Sequence, residues 1–296
     1  MLSMTTDSAG SSTPPAAAPS AVAGGQTPPR NERFIHPPEL TGVLAGQTSL
    51  GVGSKGPGVL AVQQALADMG FSVPGGADGS FGAQSTKAVR NFQVHARSAF
   101  PAVQATGKVD AATLRALDAL APPPGQRGQS QHLPAPRYKG TPVRVVVVKN
   151  EHRTFLFDAQ GKLQSIFGNA VGTRATQTDP GLKKVTGKLN EAQSHALGKK
   201  LWGGPVFGPR IIDLSWADGS RSGEELHGTS APAHQGEDVS HGCIRHDNAD
   251  IIALYDALKV GDMVAIVDSI NDPNLKAPPA TPTGMPDLSG AVASRK

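Results

Sequence analysis

Proline placement divides this chain. Eighteen of its 25 prolines fall in three stretches, 1–40, 122–142 and 271–296, which together hold 87 of the 296 residues. Proline fixes its own φ, has no N–H to donate and restricts the residue before it, so such stretches cannot continue as helix or inner strand. They are also rich in Ala, Ser, Thr and Gln with no apolar period, and bury too little surface to offset the entropy of ordering. The reading is a disordered segment over 1–40, a Pro-rich linker over 122–142 and a disordered tail over 271–296. Two candidate domains remain, 41–121 and 143–270, each of ordinary size.

Composition then excludes several classes. The net charge of +4 is not gathered on either domain: 41–121 carries +2, 143–270 carries −1, and the linker alone supplies +3 through Arg127, Arg137 and Lys139. A nucleic-acid binder concentrates basic charge on one folded face, and 4% aromatics offers little for base stacking, so no nucleic-acid partner is expected. No apolar run reaches the roughly 18 residues of a membrane span. One cysteine, Cys243, precludes an intrachain disulfide framework and a multi-cysteine zinc site.

The first domain reads as helical. In 57–70, Val59, Val62, Leu66 and Met69 recur at steps of three and four, with Pro57 in the first turn and Gly70 after the end. A second helix over 83–97 turns Ala88, Val89, Phe92 and Ala96 inward. A third starts at Asp110, an N-cap, with Val109 and Leu114 placed as a hydrophobic staple. Asp78-Gly79-Ser80-Phe81-Gly82 is a turn between the first two. This periodicity already accounts for Phe81 and Phe92 as core residues. The Gln-x-x-Leu helix, the Asp-Gly-x-Phe-Gly turn and the Ala-Val-x-x-Phe-Gln helix together resemble the helical peptidoglycan-binding domain over 51–120. That resemblance implies a three-helix bundle whose partner is peptidoglycan glycan and peptide.

The second domain reads as mainly β. Val143–Lys149, Thr154–Asp158, Leu163–Val171, Arg210–Leu214 and Met263–Val267 are strand-like runs between turn residues. One helix stands out, capped by Asn248, with Ile251, Ile252, Leu254, Tyr255 and Leu258 on its apolar side and Gly261 closing it. The chemistry lies at Glu225-Leu-His227-Gly228-Thr229 and Ser240-His241-Gly242-Cys243-Ile244-Arg245. A thiol is a strong nucleophile once ionised, and histidine is the usual base for it. His227 and His241 both qualify, and spacing does not choose between them. Gly242 leaves the backbone before the thiol unhindered, so an N–H there can face an oxyanion. Arg245 either pairs with a carboxylate such as Asp250 or holds a substrate carboxylate. His234 and His246 read as solvated loop residues.

The set His227-Gly-Thr, Ser240-His-Gly-Cys-Ile-Arg, Asn248-x-Asp250-x-x-x-x-Leu-Tyr255 and Val260-Gly-Asp-x-Val-x-Ile266 resembles the L,D-transpeptidase catalytic domain of YkuD type over 143–268. The resemblance implies Cys243 as nucleophile, His227 as general base and Gly228 as the residue whose carbonyl orients it. It makes Ser240, His241 and Gly242 the shapers of the acyl site and places the family arginine on Arg245. It implies cysteine-dependent acyl transfer at the L,D bond of tetrapeptide stems, without metal or cofactor, giving a crosslink or a trimmed tripeptide. The segment Thr178–Thr186 departs from the family pattern in lacking an aromatic, and 190–204 is lengthened. A catalytically inactive wall-binding protein is a second reading, which the intact Cys243, His227 and Gly242 oppose. A zinc site from Cys243, His227, His241 and His234 is a third, with loose spacing. The substrate implies the cell envelope, periplasm or exterior. Met1–Asp7 shows no basic and apolar leader, so either an upstream start or a secretion or injection machine would export the chain.

Overall fold

In a computed structural model, residues 27–128 and 133–276 are described; the expectations for 1–26, 129–132 and 277–296 lie outside them. The elements run α1 (Pro38–Leu44), α2 (Pro57–Asp68), α3 (Ala83–Ala96), α4 (Ala111–Leu120), β1 (Arg137–Tyr138), β2 (Thr141–Pro142), β3 (Val145–Val148), β4 (Arg153–Phe157), β5 (Leu163–Gly168), β6 (Val171–Gly172), β7 (Gly181–Leu189), α5 (Glu191–Trp202), β8 (Ile211–Trp216), β9 (Arg221–His227), β10 (Asp238–Ser240), β11 (Ile244–Arg245), α6 (Asn248–Ala257) and β12 (Met263–Val267).

The helical domain carries one helix more than its periodicity predicts. Residues 30–44 were expected within or beside a disordered segment, yet Leu40 and Val43 of α1 are buried, as is Phe34 before it. The backbone N–H of Asn31 donates to Asp118 at 2.8 Å, and Arg33 pairs with Asp68. The apolar content of Phe34, Leu40 and Val43 suffices to order the segment despite Pro37 and Pro38, because Pro38 occupies the helix's first turn. An internal repeat fastens the other three helices. The buried Gln63 amide of α2 accepts from Gly79 N–H and donates to the Ser80 carbonyl and the Ser85 hydroxyl. The buried Gln93 amide of α3 accepts from Gly107 N–H and donates to the Lys108 carbonyl and the Thr113 hydroxyl. Each glutamine thus ties its helix to the turn that starts the next.

The second domain is an eight-stranded mixed sheet in the order β11-β9-β8-β7-β12-β3-β4-β5. An antiparallel bridge between Ala170 and Arg245 brings the two ends of the sheet together, so that it curls closed. Val145, Val147, Val185, Ile212, Leu226, Ile244 and Ile266 fill the space enclosed, with Ile251, Leu254 and Leu258 at α6. Val146, Val148, Phe155, Phe157, Ala265 and Val267 face the other way, into one core with the helical domain. A strand buried on both faces has no polar alternation, which explains the unbroken valines of β3.

The two domains therefore share a core instead of being joined only by the linker. Ser72 N–H donates to the Ile166 carbonyl at 3.0 Å, and Ile166 N–H to the Gly70 carbonyl at 2.7 Å. Asn91 adds a side-chain donor to the same Ile166 carbonyl. The linker expected over 122–142 is in part structured, since β1 and β2 form a hairpin over 137–142. The expected tail is ordered as far as Leu275, which is buried, and the Asn274 carbonyl accepts from Lys139 N–H.

Candidate active site

β8, β9 and β11 build the site. β11 pairs in parallel with β9 so that Arg245 lies opposite His227 and Ile244 opposite Leu226. Ile244 and Leu226 point into the enclosed core; alternation then sends His227, Arg245, Glu225 and the neighbouring Cys243 to the outer face. Asp213 of β8 is the cross-strand partner of Glu225.

His227 is 4% exposed. Its Nδ1 lies 2.6 Å from the Gly228 carbonyl oxygen. A carbonyl only accepts, so Nδ1 carries the proton and Nε2 is left as a lone-pair acceptor. Gly228 is required by close approach: a Cβ there would lie 2.5 Å from Asn248 Oδ1 and 2.9 Å from Pro209 Cδ. Asn248 does not cap α6 as expected. Asp247 does so, and the Asn248 Oδ1 instead accepts from Thr229 N–H at 2.9 Å. Phe207 meets the imidazole edge-on at 5.0 Å.

Cys243 is half-buried, its Sγ 4.0 Å from the Gly223 carbonyl oxygen. Burial, reinforced by the Glu225 carboxylate, pushes the thiol up to about 12. Burial likewise pulls His227 down to about 4, with Arg245 adding to the effect. Both shifts favour the neutral forms, a thiol at Cys243 and an imidazole at His227. Burial and the neighbouring Asp213 raise Glu225 to about 7, a residue the motif reading did not select.

The loop ahead of the thiol is held from both sides. Ser240 Oγ accepts from Gly242 N–H at 3.1 Å and donates to the Cys243 carbonyl. The Gly242 N–H expected to face an oxyanion is therefore already engaged. Gly242 has φ +112°, a conformation that favours glycine. Thr178, fully buried, donates to the Gly242 carbonyl at 2.7 Å, and Thr176 to the Ser240 carbonyl at 2.8 Å. The segment that departs from the family pattern thus positions the thiol loop. The Trp216 ring of β8 lies against Gly181 of that segment.

The remaining expected residues separate. His241 is exposed and meets the Trp202 ring at 5.5 Å, at the end of α5. His234 is exposed and pairs with Glu237, so the three histidines of the zinc reading do not converge. His246 is fully buried, contrary to the solvated reading: Asn169 donates to the Thr154 hydroxyl, which shares a hydrogen bond with His246 Nε2 at 2.8 Å. Arg245 does not pair with Asp250. The latter accepts from the Ser72 hydroxyl at 2.7 Å, across the domain boundary, and among the described residues Arg245 makes no ion pair.

The site thus gathers a half-buried cysteine, a buried histidine whose Nδ1 is fixed on a carbonyl and a constrained loop before the cysteine. Residues 142–266 match the YkuD family, the L,D-transpeptidase catalytic domain, and residues 55–117 match a peptidoglycan binding domain. The L,D-transpeptidase YkuD of Bacillus licheniformis is 31% identical over 140 residues, 47% of this chain and 74% of that protein. The L,D-transpeptidase YqjB of Bacillus subtilis is 29% identical over 134 residues, 44% of this chain and 73% of that protein. A crystal structure of an L,D-transpeptidase from Xylanimonas cellulosilytica has the same fold, with TM-score 0.52 and 23% identity, over 74% of this chain and 98% of that one. The chain belongs to the YkuD family of L,D-transpeptidases, with a peptidoglycan-binding domain ahead of the catalytic one.

Proposed function

We propose that this L,D-transpeptidase works through Cys243 and His227 on tetrapeptide stems of peptidoglycan. His227 Nε2 takes the thiol proton as Sγ attacks the carbonyl between the diamino residue and the terminal D-Ala. The proton passes to the departing amine, D-Ala leaves, and a thioester to Cys243 remains. An acceptor amine then attacks the thioester, its proton goes through His227 to the leaving sulfur, and a crosslink results. With Gly242 N–H engaged by Ser240, the Cys243 N–H is the amide available to the oxyanion. Ser240 and Gly242 hold the loop, His241 and Trp202 form the cleft wall, and Arg245 takes a stem carboxylate. Water in place of the amine gives the tripeptide, the L,D-carboxypeptidase outcome.

The observation that carries this reading is the Nδ1–Gly228 contact of 2.6 Å, which leaves the His227 lone pair on Nε2, free to accept a proton. The substrate sets the place of action at the cell envelope, reached by an export route. Intact-mass spectrometry of the protein mixed with tetrapeptide tests the reading. A stem adduct lacking D-Ala, absent in Cys243→Ala and in His227→Gln, supports it; an adduct that persists in Cys243→Ala overturns it.

A further inference from the structure

The thiol stands at the end of a row that crosses four strands. Asp213 of β8 is the cross-strand partner of Gly187 on β7 and of Glu225 on β9. Cys243 directly precedes Ile244, whose partner on β9 is Leu226, so it sits beside Glu225. Ile212, Leu214, Leu226 and Ile244 point into the enclosed core. Alternation therefore turns Asp213, Glu225 and Cys243 outward together. Gly187 makes room at the far end, since a Cβ there would collide with Asp213 Oδ2. His227 and Arg245 form the adjacent row on the same face.

The row is open to a substrate. Asp213, Glu225 and Cys243 are each only half-buried, and Gly223, whose carbonyl faces Sγ, is exposed. Neither carboxylate is already engaged. Among the described residues, Asp213 and Glu225 make no ion pair and their carboxylates no hydrogen bond. The neighbouring charges are committed elsewhere. Glu224 is buried against Lys183, and Lys188 donates to the Tyr255 and Leu258 carbonyls. Arg221 is exposed and acts on Glu225 only through its field.

Acyl transfer to an amine needs a proton acceptor besides His227. A primary amine has a pKa of roughly 10 and arrives at neutral pH as an ammonium, without a lone pair. It must lose one proton before it attacks and a second afterwards. His227 carries the second to the sulfur. The first needs a base beside the thioester, and an anionic base also attracts the cation. Burial and Asp213 raise Glu225 from 4.5 to about 7, which makes it a stronger proton acceptor than an exposed carboxylate.

We propose that Glu225 is a further catalytic residue, whose carboxylate draws the acceptor ammonium to the thioester on Cys243 and takes its first proton. The proposal rests on the thiol reading above. The ammonium gives one N–H proton to a Glu225 oxygen, and the freed lone pair attacks the thioester carbonyl carbon. The second proton passes through His227 to sulfur as the C–S bond breaks. The products are the amide crosslink and the free thiol, and Glu225 returns its proton to solvent. Water needs no such step, so Glu225 sets the partition between crosslink and tripeptide. Asp213 acts through Glu225, as a positioning residue.

The test is mass spectrometry of products from disaccharide-tetrapeptide, reading the ratio of dimer to tripeptide, which does not depend on how fast the acyl-enzyme forms. Glu225→Gln should lower that ratio at least about tenfold, since a general base is worth roughly 10²–10⁴. Glu225→Asp, which keeps a carboxylate, should restore part of it. Methoxyamine, already uncharged at neutral pH, should be acylated relative to water equally well by Glu225→Gln and the unaltered protein. An unchanged dimer ratio overturns the proposal. So does an equal fall with both acceptors, or a Glu225→Gln variant that makes no product with either, because the residue would then serve the thiol or the fold and not the acceptor. D-Ala release with tripeptide alone from the unaltered protein leaves the thiol reading standing and overturns this one; no D-Ala release overturns both.

Discussion

The thiol is set by burial and by neighbouring charges that act in different directions. Burial and Glu225 raise it, while Arg245 lowers it. Glu225 ionises near 7, so above that pH its charge opposes the thiolate most. Glu225→Gln should therefore raise the iodoacetamide alkylation rate of Cys243 at pH 8 by about 3- to 10-fold, the size expected from removing one nearby charge. An unchanged or slower rate would contradict the placement of Glu225. The acid limb belongs to His227, held at about 4. The rate constant kcat/KM should fall as pH drops through about 4 and not through the ordinary histidine range near 6.5; a limb near 6.5 would contradict the buried imidazole. Cys243, His227 and Gly228 were legible in the sequence because the motif joins them over a short span. Glu225 was not singled out, since a carboxylate in a strand normally faces water. Its burial needs β8 on one side and β11 on the other. Thr178 and Asn248 were missed for the same reason: each acts across long separations, at Gly242 and at Thr229.

At the scale of elements, the sequence located the apolar ones and overlooked those carrying charge inward. β3, β4, β5, β8 and β12 announce themselves through branched and aromatic residues. β7 and β9 hold Lys183, Lys184, Lys188, Glu224 and Glu225, a pattern that reads as loop or surface. The structure buries part of that charge as a pair. Lys183 is fully buried and donates to Glu224 at 3.1 Å, with its ammonium also over the Trp216 ring. Glu224 further accepts from Asp179 N–H, tying the pair to the segment beside the thiol loop. Removing one partner strands the other, so Glu224→Ala should cost about 3–5 kcal/mol of unfolding free energy by urea titration. The double change Lys183→Met with Glu224→Leu should recover most of that loss. Similar losses in both would mean that the pair itself is not what the strands need. α5 was also missed, although its Asn190–Gln193 capping box was present in the sequence. Its apolar residues Leu201 and Trp202 are exposed, so it lacks the amphipathic period by which a helix is recognised.

For the whole molecule, the proline-rich linker suggests two independent domains, and the side chains contradict it. Phe71 of the helical domain and Phe155, Phe157 and Ile166 of the sheet belong to one core. The protein should unfold in a single transition, with near-ultraviolet ellipticity and far-ultraviolet ellipticity changing together; two separated transitions would contradict the shared core. The same seam carries a pH term. Burial, opposed by the Ser72 hydroxyl, raises Asp250 from 3.8 to about 7. Between those values the folded chain holds a proton that the unfolded chain has released, so this contribution to stability is present below about 3.8 and lost as pH rises to about 7. Asp250→Asn keeps an acceptor for Ser72 and removes the loss. Its Tm relative to the unaltered protein should be higher at pH 8 than at pH 4, and an equal difference at both would contradict the buried carboxyl. Because the domains share a core, a polymer held by the helical domain would be fixed relative to the cleft instead of merely kept near it.

Acyl transfer at the L,D bond should depend on Cys243. Mass spectrometry of products from purified disaccharide-tetrapeptide, run beside Cys243→Ala, tests it most directly. A crosslinked dimer with release of D-Ala, lost in the variant, is the predicted result. A dimer formed equally by Cys243→Ala, or no product from the unaltered protein, would contradict it.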